Sequence, residues 1–275
     1  MRLLFKEAVR TCFEPPAERR KKLNLWIENA NSARSMIKPS LEGYPNQYDK
    51  AEELITFYTL APLVLSMNRV GLTNRMLSLA KVSPFEESVE EVALEKQFKP
   101  PKEYLQWLRK QSHNHPVRYI REQPKTHRSN RRLEGNTHAD AYIRTDKLLI
   151  FFEIKFISDI SIETKFNPAR NQLARLVDVG LEENKETGKE VLVILSAPRR
   201  FYETRSRLYY YKIKEYENPE FIHADLPWRK ISEIKDNLLG VRWIPLEDLI
   251  TELYSDFSHK DKDEAIAFFK ERRLM

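Results

Sequence analysis

Residues 134–178 read EGNTHADAYIRTDKLLIFFEIKFISDISIETKFNPARNQLARLVD, and the interpretation of the chain turns on them. Thr137 to Arg144 and Leu148 to Ile157 are rich in β-branched and aromatic residues, and Thr145-Asp146-Lys147 between them supplies a tight polar turn. This pattern predicts a hairpin. With Asp146 and Lys147 as the central turn residues, Thr145 pairs with Leu148, and counting back along both strands sets Asp140 opposite Glu153. Lys155 falls two residues on, on the face of Glu153, because strand side chains alternate. Leu148-Leu149-Ile150-Phe151-Phe152 is apolar on both faces, as suits a central strand covered on each side. Two carboxylates are thus brought together where water is scarce.

Facing like charges repel in such a place, and burying either one unpaired is costly. A divalent cation between them reverses the sign of the interaction. Carboxylate oxygens completed by water and a substrate phosphate suit Mg²⁺. Lys155 beside the ion would orient or help deprotonate a water and offset negative charge in the transition state. The alternative is a structural ion-pair cluster of Asp140, Glu153 and Lys155 at a sheet end, and the weak stabilisation given by buried pairs counts against it. The tripeptide Glu-x-Lys is uninformative alone, since it recurs at Glu163, Glu183 and Glu233 in polar or helical surroundings. Only Glu153 lies in an apolar strand with an aspartate at hairpin distance.

Further along, Asn167-Pro168 reads as a helix start, with Asn at the cap and Pro in the first helical position. On that helix Leu173, Leu176 and Val177 form the apolar face, Gln172 borders it, and Arg175 follows one turn on. Polar groups at that edge would reach a phosphate held at the metal.

Asp140, then Glu153-Ile154-Lys155, then a helix bearing Asn171-Gln172-x-x-Arg175, resembles the PD-(D/E)xK superfamily of restriction-endonuclease-like nucleases. The wider run, from Glu134-Gly135 through Ser158-Asp159-Ile160-Ser161 to Arg170 and Asp178, is similar to a group of prokaryotic members, over roughly residues 116–250. The resemblance implies an α/β fold with a restriction-endonuclease-like mixed central sheet flanked by helices. It implies cleavage of nucleic acid, with DNA the expected substrate, and Mg²⁺ as cofactor with Mn²⁺ able to substitute. Asp140, Glu153 and the Ile154 carbonyl would hold the ion, Lys155 would serve the attacking water, and Gln172 with Arg175 would orient the phosphate or the lysine. Asn171 would contact the substrate beside them. Many members add a glutamate from the first core helix, a place that Glu134 and Glu53 both suit. Members that cut both strands are often dimers, so a homodimer is compatible with this reading. Two departures stand out: Ala139 replaces the family's proline, and Leu176 occupies the tyrosine position of the exonuclease-like branch, so processive end degradation is not implied.

The rest of the chain divides, on its sequence, into a helical N-terminal region over residues 1–100 and an α/β core with a C-terminal helix over residues 101–275. Helical spacing runs from Glu18 to about Lys99, with capping boxes at Asp49-x-x-Glu52 and Ser83-Pro84-Phe85-Glu86. The first box opens a helix to Met67 in which Pro62 should produce a kink or break near Ala61. Lys99-Pro100-Pro101-Lys102 marks the boundary. Arg109 to Arg132 then holds eight Lys or Arg against the single acid Glu122. Arg128, Arg131 and Arg132 at its end are candidate contacts to nucleic acid; the alternative is a surface loop with no partner. Past the helix, Glu190 to Ser196 and Val241 to Ile244 read as strands. Pro227 to Leu239, Leu246 to Tyr254 and Asp263 to Leu274 read as helices, and Arg207 to Lys214 as either.

Composition narrows the function classes. A formal charge of +6 has the sign a polyphosphate ligand wants. A single cysteine, Cys12, excludes an intramolecular disulfide and a thiolate zinc site, and points to a cytoplasmic compartment. Leu3-Leu4-Phe5 is interrupted too early to act as a signal peptide, and no apolar run is long enough to span a bilayer, so no membrane association is expected. No Gly-rich phosphate loop with a following Lys-Ser or Lys-Thr is present, which argues against an ATP-driven motor.

Overall fold

The structure, a computed structural model, describes residues 52–83, 87–114, 134–164, 167, 169–258 and 262–275, with the backbone alone for 52–54, 111–114 and 264. Five strands form one mixed sheet in the order β1 (Val89–Phe98), β2 (Thr137–Thr145), β3 (Leu148–Ile154), β4 (Glu190–Ala197), β5 (Leu238–Pro245). β1, β2 and β3 are antiparallel neighbours, while β3, β4 and β5 run parallel. The β2–β3 ladder pairs Ala141 with Phe152, Tyr142 with Phe151 and Ile143 with Ile150, which is the register expected from the turn. The side chain of Thr145 closes that turn by accepting from the Leu148 amide at 2.8 Å.

Every residue of β3 is buried, because both faces of the sheet are covered. Leu148, Ile150, Phe152 and Ile154 face a core shared with α1 (Glu52–Leu65), α2 (Arg69–Leu79), α9 (Leu246–Ser255) and α10 (Lys262–Glu271). Leu149 and Phe151 face the opposite core, built with α4 (Gln172–Thr187), α6 (Leu208–Glu215), α7 (Pro219–Asp225) and α8 (Ile231–Asn237). The molecule is thus a three-layer α/β/α sandwich. Short α5 (Arg199–Glu203) follows β4, and α3 (Lys102–Asn114) follows β1. α4 lies directly on the sheet at Gly180, where an added Cβ would come within 2.5 Å of Val191 and 3.1 Å of Phe151. It ends on Gly188, whose φ of 68° is the left-handed conformation that glycine adopts without strain.

Several expectations are corrected. Residues 89–98, expected to be helical, form β1 at the sheet edge, and the box at Ser83 opens no helix in the residues described after it. Helix-forming Leu94, Glu95 and Lys96 are overridden by backbone pairing with β2 and by burial of Val92, Ala93 and Leu94. The boundary near Lys99 therefore separates β1 from α3, and α1 and α2 pack on the same sheet as the core expected downstream. Pro62 does not divide α1, which runs through it. Proline cannot donate to the Tyr58 carbonyl four residues earlier, and the Tyr254 hydroxyl donates to that oxygen instead at 2.5 Å. The helix expected over 227–239 is shorter, because residues from Leu238 join β5.

Candidate active site

The β2–β3 ladder ends at Ala141–Phe152, so the next pair outward is Asp140 with Glu153. Opposed residues share a face, and this face is that of Tyr142 and Phe151, the one α4 covers. The Asp140 carboxylate accepts from the Ile154 amide at 2.7 Å. Glu153 is 1% exposed and Lys155 is 8% exposed, and the lysine amine lies 2.7 Å from Glu153 Oε1. The same Oε1 accepts from the Gln172 side-chain amide at 2.6 Å. An acid, a base and an amide thus converge on the hairpin end, as the alternation of β3 and the position of Gln172 on α4 require.

α4 begins four residues later than the Asn167-Pro168 pair suggested. Asn167 Oδ1 instead accepts from the Ala169 amide at 3.0 Å, closing a local turn. Asn171 is the N-cap and accepts from the Ala174 amide at 3.0 Å. Its amide group donates to Tyr216 Oη at 2.6 Å and to Asp225 at 3.0 Å, so Asn171, expected to contact nucleic acid, is a buried anchor for the helix start. Gln172, next in the chain, is thereby aimed at Glu153, and its side-chain Oε1 accepts from the Ser161 amide at 3.3 Å. Arg175 donates to Ser161 Oγ at 3.0 Å. Burial lowers its pKa, and its Nε, itself buried, has no hydrogen-bond partner among the described residues.

Glu134 does not join Asp140 and Glu153. Its carboxylate is taken by Arg170 Nε at 3.0 Å and by the Tyr104 hydroxyl. Arg170, fully buried, also pairs with Asp178 at 2.5 Å and stacks 3.9 Å above the Tyr104 ring. Asp178 in turn receives Arg229 Nε at 2.6 Å and Trp228 Nε1 at 3.0 Å. Burial works to lower the pKa of both guanidinium groups, but the neighbouring carboxylates outweigh it and hold them firmly charged. The sequence carried a signal for this cluster, because an aspartate flanked by Val177 and Val179 on a helix that covers a sheet demands a cationic partner.

Among the described residues, no three His, Cys, Asp or Glu side chains converge as a metal-holding group. Glu53, the other candidate third acid, is described only as backbone in α1, and Arg128, Arg131 and Arg132 lie outside the described residues. The chain matches no known family model, curated protein or solved structure. No helix among the described residues is long and apolar enough to cross a membrane.

Proposed function

We propose that this protein is a Mg²⁺-dependent nuclease of the PD-(D/E)xK type, cutting phosphodiester bonds of nucleic acid, with DNA the expected substrate. The observation that carries the reading is the convergence of Lys155 and Gln172 on Glu153 at the hairpin end, with Asp140 one register step beyond the last β2–β3 pair and bonded to the adjoining Ile154 amide. Two carboxylates on adjacent strands fit an ion that takes one or two protein carboxylates and otherwise water and phosphate oxygens. Ile154 turns its N–H toward Asp140, and in extended backbone its carbonyl points to the same edge, which suits it as a further ligand. Bound there, Mg²⁺ would polarise the phosphate and stabilise a hydroxide nucleophile.

The chain's own residues do the rest. Lys155 holds the attacking water in line and offsets charge on the phosphate, while Gln172 keeps the Glu153 carboxylate in its rotamer. The Nε of Arg175, without a hydrogen-bond partner among the described residues, offers a donor to a phosphate oxygen. Water adds to phosphorus, the bond to the 3′ oxygen breaks, and the products are a 5′-phosphate and a 3′-hydroxyl. A homodimer would serve cutting of both strands.

The rival reading is a non-catalytic nucleic-acid-binding or assembly protein, favoured by the direct Glu153–Lys155 ion pair and by Glu134 being engaged elsewhere. Cleavage of plasmid and single-stranded substrates with Mg²⁺ or Mn²⁺ decides, comparing wild type with Glu153→Ala and Lys155→Ala. Cutting by the wild type alone supports the nuclease. Equal cutting by all three overturns the catalytic assignment, and binding without cutting by the wild type selects the rival.

A further inference from the structure

We propose that the segment after β4, together with Trp243, forms a stacking platform that receives an unpaired single strand of nucleic acid beside the Glu153–Lys155 site; its role there rests on the nuclease reading. In the sheet, Glu153 is in register with Leu195, and Leu195 with Trp243. These three therefore share one row and one face, with Trp243 two strands, or about 10 Å, from Glu153. Tyr202 lies flat on Trp243, with ring centres 3.8 Å apart and planes 3° from parallel. Tyr210 meets Tyr202 edge-on at 4.8 Å, and Tyr211 meets Tyr210 at 5.3 Å. The series runs from the half-buried Trp243 out to Tyr211, a residue 50% exposed.

The segment is fastened to the loop that follows Lys155. Arg207 donates to the Ile157 carbonyl at 2.7 Å, and Asp159 caps α6 by accepting from the Leu208 amide at 2.6 Å and the Tyr209 amide at 3.2 Å. Residues 199–214 contain six Arg or Lys and the single acid Glu203; Arg199, Lys212 and Lys214 are paired with Asp248, Glu215 and Glu217. Arg200 and Arg205 are exposed and form no ion pair with any described acid, and Arg205 stands 5.6 Å from the Tyr210 ring. An exposed tyrosine beside two half-buried ones, interleaved with arginines that no described acid neutralises, is the chemistry that holds unpaired bases and their phosphates. A duplex keeps its bases stacked inside and would use only the arginines.

The test is fluorescence anisotropy of the full chain in EDTA, with labelled oligo-dT, oligo-U and a duplex of equal length. The expected result is tighter binding of a single strand than of the duplex, about tenfold weaker binding for Tyr211→Leu, near wild-type binding for Tyr211→Phe, and for Arg205→Ala weaker binding with a salt slope lower by about one. The two single-stranded arms tell DNA from RNA, and tight binding in either supports the platform. Equal affinity for the duplex, an unchanged Tyr211→Leu, or equally effective displacement by polyglutamate, which would indicate an acidic-protein surface, overturns it. Glu153→Ala separates the two proposals. Loss of cleavage with retained oligonucleotide binding supports both, binding without wild-type cleavage removes the nuclease alone, and cleavage untouched by Tyr211→Leu at limiting substrate removes the platform alone.

Discussion

Gln172 donates its side-chain amide to Glu153 Oε1 at 2.6 Å, joining the first turn of α4 to the end of β3. This bond orients a carboxylate that is itself almost wholly shielded from water. On the proposed nuclease reading, Gln172→Ala should lower Mg²⁺-dependent cleavage about 10- to 100-fold, the usual cost of losing an outer partner of a ligating group, while leaving the thermal midpoint within a few degrees. Steady-state kinetics and a melting curve on the same preparation check this. Wild-type turnover in Gln172→Ala would show that the bond has no part in the reaction.

Lys155 is the ion-pair partner of the buried Glu153. In EDTA, Lys155→Ala should destabilise the fold by about 3 kcal/mol, since it leaves a buried carboxylate without its cation. If Mg²⁺ binds as the proposed function requires, Mg²⁺ at 100 times its dissociation constant should return about 2.7 kcal/mol, because an ion that binds only the folded state stabilises it by mass action. Urea titrations with and without Mg²⁺ measure both quantities. A variant whose midpoint ignores Mg²⁺ would mean that no ion binds at Glu153.

Asp178 balances two buried guanidinium groups, those of Arg170 and Arg229. Asp178→Ala should therefore cost at least about 3–5 kcal/mol, the range for stripping a buried pair of one partner. Arg75→Ala is the control, since its partner Asp256 is 77% exposed and such surface pairs contribute about 0–1 kcal/mol. Chemical denaturation of the two variants should separate them clearly, and equal losses would contradict the burial argument.

Pro62 and Tyr254 act on one oxygen, the Tyr58 carbonyl. Tyr254→Phe should cost about 0.5–1.5 kcal/mol by removing the hydroxyl that donates to that carbonyl. In a Pro62→Ala background the same change should cost less, because an alanine amide can donate to Tyr58 in the ordinary helical way. A four-protein urea cycle reads the coupling, and strictly additive losses would reject it.

Burial pushes the Tyr254 phenol above its ordinary range, and Tyr104 and Tyr216 shift the same way through burial and their neighbours Glu134 and Asp225. A folded-state pKa above the unfolded value means that the unfolded chain loses its proton first as pH rises. Each tyrosine therefore contributes stability that is complete below about pH 10, and is lost at about 1.4 kcal/mol per pH unit above it until the folded-state pKa is passed. Stability should hold nearly level from about pH 9 to about pH 10 and then fall by up to the three shares together, about 4 kcal/mol per pH unit. Tyr254→Phe should make the decline shallower by one tyrosine's share, and an unchanged slope would count against the buried phenol.

How far the site was legible follows from the reach of each signal. The hairpin register, and with it the shared face of Asp140, Glu153 and Lys155, could be counted along the chain because a two-residue turn and a period of two leave no freedom. The cap of α4 was misplaced by four residues, since Asn167 and Asn171 both satisfy the local rule and only Tyr216 and Asp225, 45 and 54 residues away, choose between them. Glu134 looked free to serve a metal until Arg170 and Tyr104 came to it, 36 and 30 residues away in sequence.

By itself, then, the sequence determined the β2–β3 hairpin, the buried β3 and β4, the amphipathic helices α4, α8, α9 and α10 to within a few residues of their ends, and the chemical character of the candidate site, all of which depend on short-range periodicity and turn chemistry. The tertiary structure alone decided that residues 89–98 pair as the edge strand, that α1 continues through Pro62, that Glu134 belongs to a buried arginine cluster, and that Trp243 shares a row with Glu153. Each of these rests on partners far apart in the chain, whose burial and hydrogen bonds outweigh a local preference worth less than about one kcal/mol per residue.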